Sequence, residues 1–130
     1  MKTIFTNGCF DILHIGHIKL FEYASSLGDK LIVGLNSDSS IRRLKGEKRP
    51  INKQEDRKII LESIKYIDKV LIFEEDTPIE LINIIKPDII VKGGDYKPED
   101  VVGNQVSQVV IFGFINGYST TKTIKNISNR

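Results

Sequence analysis

With 130 residues, 40% of them hydrophobic, and a net charge of only +2, the chain suits one compact domain over residues 1–130 with a substantial core. No run approaches the roughly 20 apolar residues of a bilayer span, and the first residues lack the basic-then-apolar order of a secretion signal, so a cytoplasmic protein without a membrane partner is expected. The one cysteine, Cys9, excludes an internal disulfide, and with only two histidines in the chain a closed zinc site would need carboxylates as well; no dedicated metal site is expected.

Lys2 to Thr6 reads as a buried strand, after which Gly8 allows a tight backbone turn. From His14 onward Ile18, Phe21, Ala24 and Leu27 recur at helical spacing. His14 and His17 then share one face of a helix start, where unpaired N–H groups and the helix dipole favour anions. Lys30 to Leu35 reads as a second strand. Residues 42 to 58 hold eight Lys/Arg against three acids, a local charge of +5. A solvated charge run is the ordinary fate of such a segment, and basic stretches attract any polyanion. Gly46, Pro50 and the lack of interleaved aromatics favour a mobile loop over a triphosphate, with no nucleic-acid partner.

Lys53 to Ile67 is predicted as a helix with Ile60, Ile64 and Ile67 inward, and Lys69 to Phe73 as a third strand. Pro78 opens a helix through Ile85 that Pro87 closes; Ile89 to Val91 makes a fourth strand and Val109 to Phe112 a fifth. Ser119 reads as the N-cap of a last helix, Thr120 to Ile127. Strands alternating with helices imply an α/β fold with a doubly wound, parallel five-stranded sheet, which binds ligands beyond the carboxyl ends of its strands. Gly8 to His17, Asn36-Ser37-Asp38, Lys92 to Tyr96 and Gly117 to Thr121 all follow strand ends and would share one rim. Each has a plainer reading: a helix cap plus a surface histidine for His14 and His17, an acid near a helix start for Asp11, a cap on the next turn for Asp38, solvated cations for Lys45 and Lys48, and a turn for Gly93-Gly94.

Gly8-Cys9-Phe10-Asp11, His14-Ile15-Gly16-His17 and Ser119-Thr120-Thr121 resemble the nucleotidyltransferase family that includes the cytidylyltransferases, and the match runs nearly end to end. Asn36-Ser37-Asp38, Leu44-Lys45-Gly46 with Arg49-Pro50, Glu74 to Pro78 and Lys92 to Tyr96 are most similar to the heptose 1-phosphate adenylyltransferase domain. The resemblance implies a Rossmann-like nucleotidyltransferase fold. It further implies that His14 and His17 bind the triphosphate and stabilise the transition state, with Lys45 and Arg57 as phosphate clamps. Gly8, Cys9, Phe10, Gly16, Gly93, Asp95, Ser119 and Thr120 would form the nucleotide site, and Asp11, Asp38 and Arg57 would orient the acceptor. Mg2+ would come with the nucleoside triphosphate, and relatives of this size commonly form homodimers.

The expected reaction is transfer of a nucleoside monophosphate to a sugar or polyol phosphate with release of pyrophosphate, giving an activated sugar for surface polysaccharide synthesis. ATP with D-glycero-D-manno-heptose 1-phosphate is the first choice. Phe112 to Gly117 carries no arginine, whereas glycerol phosphate cytidylyltransferases usually have one just before the Ser-Thr-Thr stretch. Against adenine stand the chain's length, which suits the cytidylyl branch, and a stretch from Gln105 to Val109 that is short for the heptose pattern. CTP with glycerol phosphate or a longer polyol phosphate is therefore the alternative. A non-catalytic nucleotide-binding module is the alternative of another class, opposed by the intact His14, His17, Lys45, Arg57 and Ser119.

Overall fold

Alternate residues of the central strands are buried on opposite faces, so the sheet must be covered on both sides. Ile4, Leu31, Val33, Leu35, Ile89 and Val91 pack into one core layer, and Phe5, Ile32 and Ile90 into the other. The computed structural model describes residues 1–94 and 96–113. Its elements run β1 (Thr3–Gly8), α1 (Ile15–Ser26), β2 (Lys30–Asn36), α2 (Asp38–Lys45), α3 (Gln54–Glu62), β3 (Lys69–Phe73), α4 (Ile79–Ile85), β4 (Ile89–Gly93) and β5 (Gln108–Phe112), with a 3-10 turn at Pro98–Asp100.

All five strands are parallel and lie in the order β3-β2-β1-β4-β5. Leu20, Phe21 and Ala24 of α1 and Leu61 of α3 cover one face, while Ile82 of α4 covers the other. This is the doubly wound arrangement expected. The chain steps outward from β1 to β2 to β3 and returns to β4 on the far side of β1, so its connections diverge between β1 and β4 and leave a crevice at their carboxyl ends. At the opposite end, Asp29, Asp68 and Asp88, each just before a strand, accept the backbone N–H groups of Lys2, Leu31 and Thr3 at 2.7–2.8 Å. These carboxylates fasten the sheet, away from the crevice.

Two expectations need correction. The predicted helix from Lys53 to Ile67 ends at Glu62, and Ile60 is 45% exposed instead of inward. The inward stripe is Arg57, Leu61 and the partly buried Ile64, and an arginine in that stripe hid the true helical phase. The second correction is α2, which occupies the start of what reads as a basic loop. It is eight residues long, capped by Ser37, whose side chain accepts the N–H of Ser40, and stopped at Gly46 with φ 99°. Its polar composition leaves only Ile41 and Leu44 as an apolar signal. The predicted helix from Thr120 to Ile127 lies outside the described residues.

Candidate active site

The turn from β1 into α1 is built differently from expectation. Gly8 is the last residue of β1, and the left-handed residue is Phe10, with φ 45°. The ring of Phe10 folds back beneath Gly8, where a Cβ would stand 3.0 Å from its Cζ, and meets Phe21 and His17 edge-on at centroid distances of 5.3 and 5.6 Å. Gly8 therefore favours close approach of the Phe10 ring, which a larger residue would have to displace by a few tenths of an ångström.

His14 is the N-cap of α1: its Nδ1 accepts the N–H of Gly16 at 3.0 Å, and Nδ1 of His17 accepts the N–H of His14 at 3.1 Å. His14 is thus a helix cap, and both rings also line the cleft. Acceptance at Nδ1 leaves the ring proton on Nε2. Burial lowers the pKa of His14; burial, and then the neighbouring His14 ring at 4.0 Å, lower that of His17 to about 4. Both imidazoles are neutral N–H donors at pH 7, a form suited to hydrogen bonding an anion without competing for its proton.

The cleft at the β1/β4 crevice has a volume of about 640 Å³. It collects Gly8, Cys9, Phe10, His14, His17, Lys45 and Gly93 from the expected set. Gly16 is buried in the first turn of α1, where it serves the cap. Asp95, Ser119 and Thr120 lie outside the described residues, as does Tyr118.

Arg57, Asp38 and Asp11 are not on the cleft wall, for a common reason. The Arg57 side chain is 0% exposed. Its Nε donates to Asn52 O at 3.0 Å, Nη1 to Cys9 O at 2.8 Å and Asn36 O at 2.7 Å, and Nη2 to Asp38 Oδ1 at 2.8 Å. A guanidinium so engaged ties together the ends of β1 and β2, the start of α2 and the entry to α3, and is not presented to the cleft as the clamp reading requires. Asp38 is its counter-ion. The buried Asp11 accepts Ile51 N–H at 2.7 Å and Asn52 N–H at 2.8 Å, with Arg49 Nε at 3.2 Å. Asp11 therefore latches the connection between α2 and α3, and Lys45, expected on a mobile loop, is instead the last residue of α2.

Sequence reasoning assigned no role to Lys92. It stands in β4 directly after three buried residues, Ile89, Ile90 and Val91, and lines the cleft with its ammonium 5.0 Å from the Tyr96 ring centroid. A cation at the carboxyl end of a central, otherwise apolar strand was the available signal. Burial lowers its pKa; Cys9 opposes this, and Lys45 adds a smaller downward pull. Burial likewise raises the Cys9 thiol and outweighs the opposing pull of Lys45, Arg57 and Arg49, so the balance is against a thiolate nucleophile. Asn7, Asn36, Arg49 and Thr77 also line the cleft without an expected role. Among the described residues, no three His, Cys, Asp or Glu side chains converge to hold a metal, and no helix is long and apolar enough to cross a membrane.

Residues 5–127 match the family described as Cytidylyltransferase-like. "Bifunctional protein HldE" of Aliarcobacter butzleri is 58% identical over 127 residues, 97% of this chain and 27% of that protein. The protein of the same name from Campylobacter jejuni (strain RM1221) is 55% identical over 130 residues, 99% of this chain and 28% of that protein. The chain spans about a quarter of the length of these curated relatives, so its length does not separate the adenylyl from the cytidylyl branch. The crystal structure of the lipopolysaccharide core biosynthesis protein from Thermoplasma volcanium GSS1 superposes with a TM-score of 0.74 at 27% identity, covering 92% of this chain and 99% of that one. Pantothenate synthetase from Thermus thermophilus, at 16% identity and a TM-score of 0.64 over 97% of this chain and 64% of that one, shares the fold. Taken with the parallel sheet and the paired histidines at its crevice, these matches mean that the chain belongs to the cytidylyltransferase-like family of nucleotidyltransferases.

Proposed function

We propose that the protein transfers the nucleoside monophosphate of a Mg-bound nucleoside triphosphate to a sugar phosphate, with ATP and D-glycero-D-manno-heptose 1-phosphate as the substrates. The observation that carries this reading is the convergence of His14, His17 and Lys45 on one cleft at the β1/β4 crevice. An oxygen of the sugar phosphate forms a bond to the α-phosphorus as the bond from that phosphorus to the bridging oxygen breaks, and pyrophosphate leaves with the electron pair. A phosphate monoester has a second pKa of about 6 and arrives mostly as the dianion, so no general base is needed. The protein's task is in-line positioning and compensation of the charge that builds on the leaving group.

The neutral imidazoles supply N–H donors for that charge, the dipole of α1 favours it, and Lys45 supplies a cation. Mg2+ would accompany the triphosphate into the cleft. When bound, it neutralises part of the phosphate charge. The name of the Thermoplasma structure, a lipopolysaccharide core biosynthesis protein, supports a place in surface polysaccharide synthesis. The sequence from Phe112 to Gly117, which lacks an arginine, favours adenine over cytosine.

The test is pyrophosphate release with Mg2+ and each of ATP, CTP, GTP and UTP against heptose 1-phosphate, glycerol phosphate and longer polyol phosphates. Turnover is expected for ATP with heptose 1-phosphate. Turnover only with CTP and a polyol phosphate would replace that substrate assignment, and tight nucleotide binding without any turnover would make the chain a binding module.

A further inference from the structure

The ion pairs of the described residues are all made by arginines: Arg43 with Asp76, Arg49 with Asp11 and Arg57 with Asp38. Lys92 has no carboxylate partner among the described residues, although it is partly buried and faces a second lysine, Lys45, around the same cleft. A desolvated cation beside a like charge is costly unless an anion joins it. The family reaction brings two anions together, and the groups assigned so far serve only the triphosphate. β4 flanks β1 on the side away from β2, so Lys92 enters the cleft from a strand on the other side of β1 from β2, the strand that leads into α2 and Lys45. In-line displacement requires the entering oxygen to approach opposite the departing pyrophosphate.

We propose that Lys92 seats the phosphate of the acceptor, with the exposed Tyr96 ring beside it as the face against which the sugar lies. The proposal rests on the transferase reading above and adds to it the group that holds the nucleophile. Its ligand class is a phosphate monoester dianion on a hydroxylated ring. Tyr96 is 49% exposed, which leaves its ring open for a sugar to rest on at the cleft mouth.

The test compares the wild type with Lys92→Met, an apolar side chain of similar length. Orthophosphate binding is measured by calorimetry in the presence of a saturating non-hydrolysable ATP analogue, and the KM for heptose 1-phosphate by pyrophosphate release. The loss of one charge-assisted contact should raise both the orthophosphate Kd and the KM by about tenfold or more, while the Kd of the analogue changes less than about threefold. Lys92→Arg should recover most of the binding. Equal weakening of the analogue would put Lys92 in the nucleotide's own site and overturn the proposal, as would unchanged phosphate binding. Lys92-dependent orthophosphate binding without turnover of any sugar phosphate would sink the sugar-phosphate reading and leave the seat standing. Turnover of heptose 1-phosphate with an unaltered KM in Lys92→Met would do the reverse. Lys92→Gln carries the same comparison should the methionine variant not fold.

Discussion

Replacing Arg57 by methionine separates a phosphate clamp from an internal brace. The substitution removes four donated hydrogen bonds, three of them to buried or part-buried backbone carbonyls, and leaves Asp38 without its counter-ion. Breaking a buried charge pair from one side costs about 3–5 kcal/mol. A domain of this size has a total stability of roughly 7–20 kcal/mol at the usual 0.05–0.15 per residue. A loss of that order should lower the Tm by roughly 10–20 °C, read by circular dichroism or calorimetry. Arg57→Lys should recover little, because one ammonium cannot reach acceptors spread around a planar fork. A clamp waiting for phosphate would behave in the opposite way: removing an unsatisfied cation would leave the Tm unchanged and raise the KM for the triphosphate. A Tm within about 3 °C of wild type, with a large loss of kcat/KM, would refute the brace.

The other expectations follow from the same geometry. Lys45→Ala should lower kcat/KM by at least about tenfold with a Tm shift of only a few degrees, since an end-of-helix lysine without an ion pair among the described residues contributes little to folding; a large Tm loss would contradict its assignment to the ligand. Asp11→Asn turns one of two accepting oxygens into a donor facing a backbone N–H, and should cost about 2–3 kcal/mol in denaturant unfolding; an unchanged midpoint would mean the latch is dispensable. For His17, the unfolded ring takes up a proton near 6.5 and the folded ring only near 4. The unfolded state therefore holds more protons between those values, and stability falls as pH drops from 6.5 toward 4, with no contribution above that window. Discounted for partial exposure, the loss should be about 1–2 kcal/mol relative to His17→Asn, measured by urea unfolding at pH 4.5 and 7. Equal pH dependence in both proteins would show that the ring is not held neutral.

Several elements were legible because their signal is local. The five apolar strands and the prolines around α4 could be placed without a partner, and the spacing of His14 and His17 put them on one helix face. The basic segment misled, because charge content alone does not distinguish a short capped helix from a loop. Phe10 misled as well: a glycine in a turn sequence invites the left-handed conformation, but packing against Phe21 assigned it to the aromatic residue.

Periodicity and motif spacing were enough to establish a doubly wound sheet and a histidine pair where anions gather, since both depend on residues close in the chain. Which charges are spent inside the protein and which are kept for a ligand was decided only by the tertiary structure. Arg57 and Lys92 look alike as symbols in a sequence. One is surrounded by carbonyls from segments 21 and 48 residues away and is consumed by them; the other meets no carboxylate among the described residues. Desolvation and pairing are properties of the folded surroundings, and those surroundings come from distant parts of the chain.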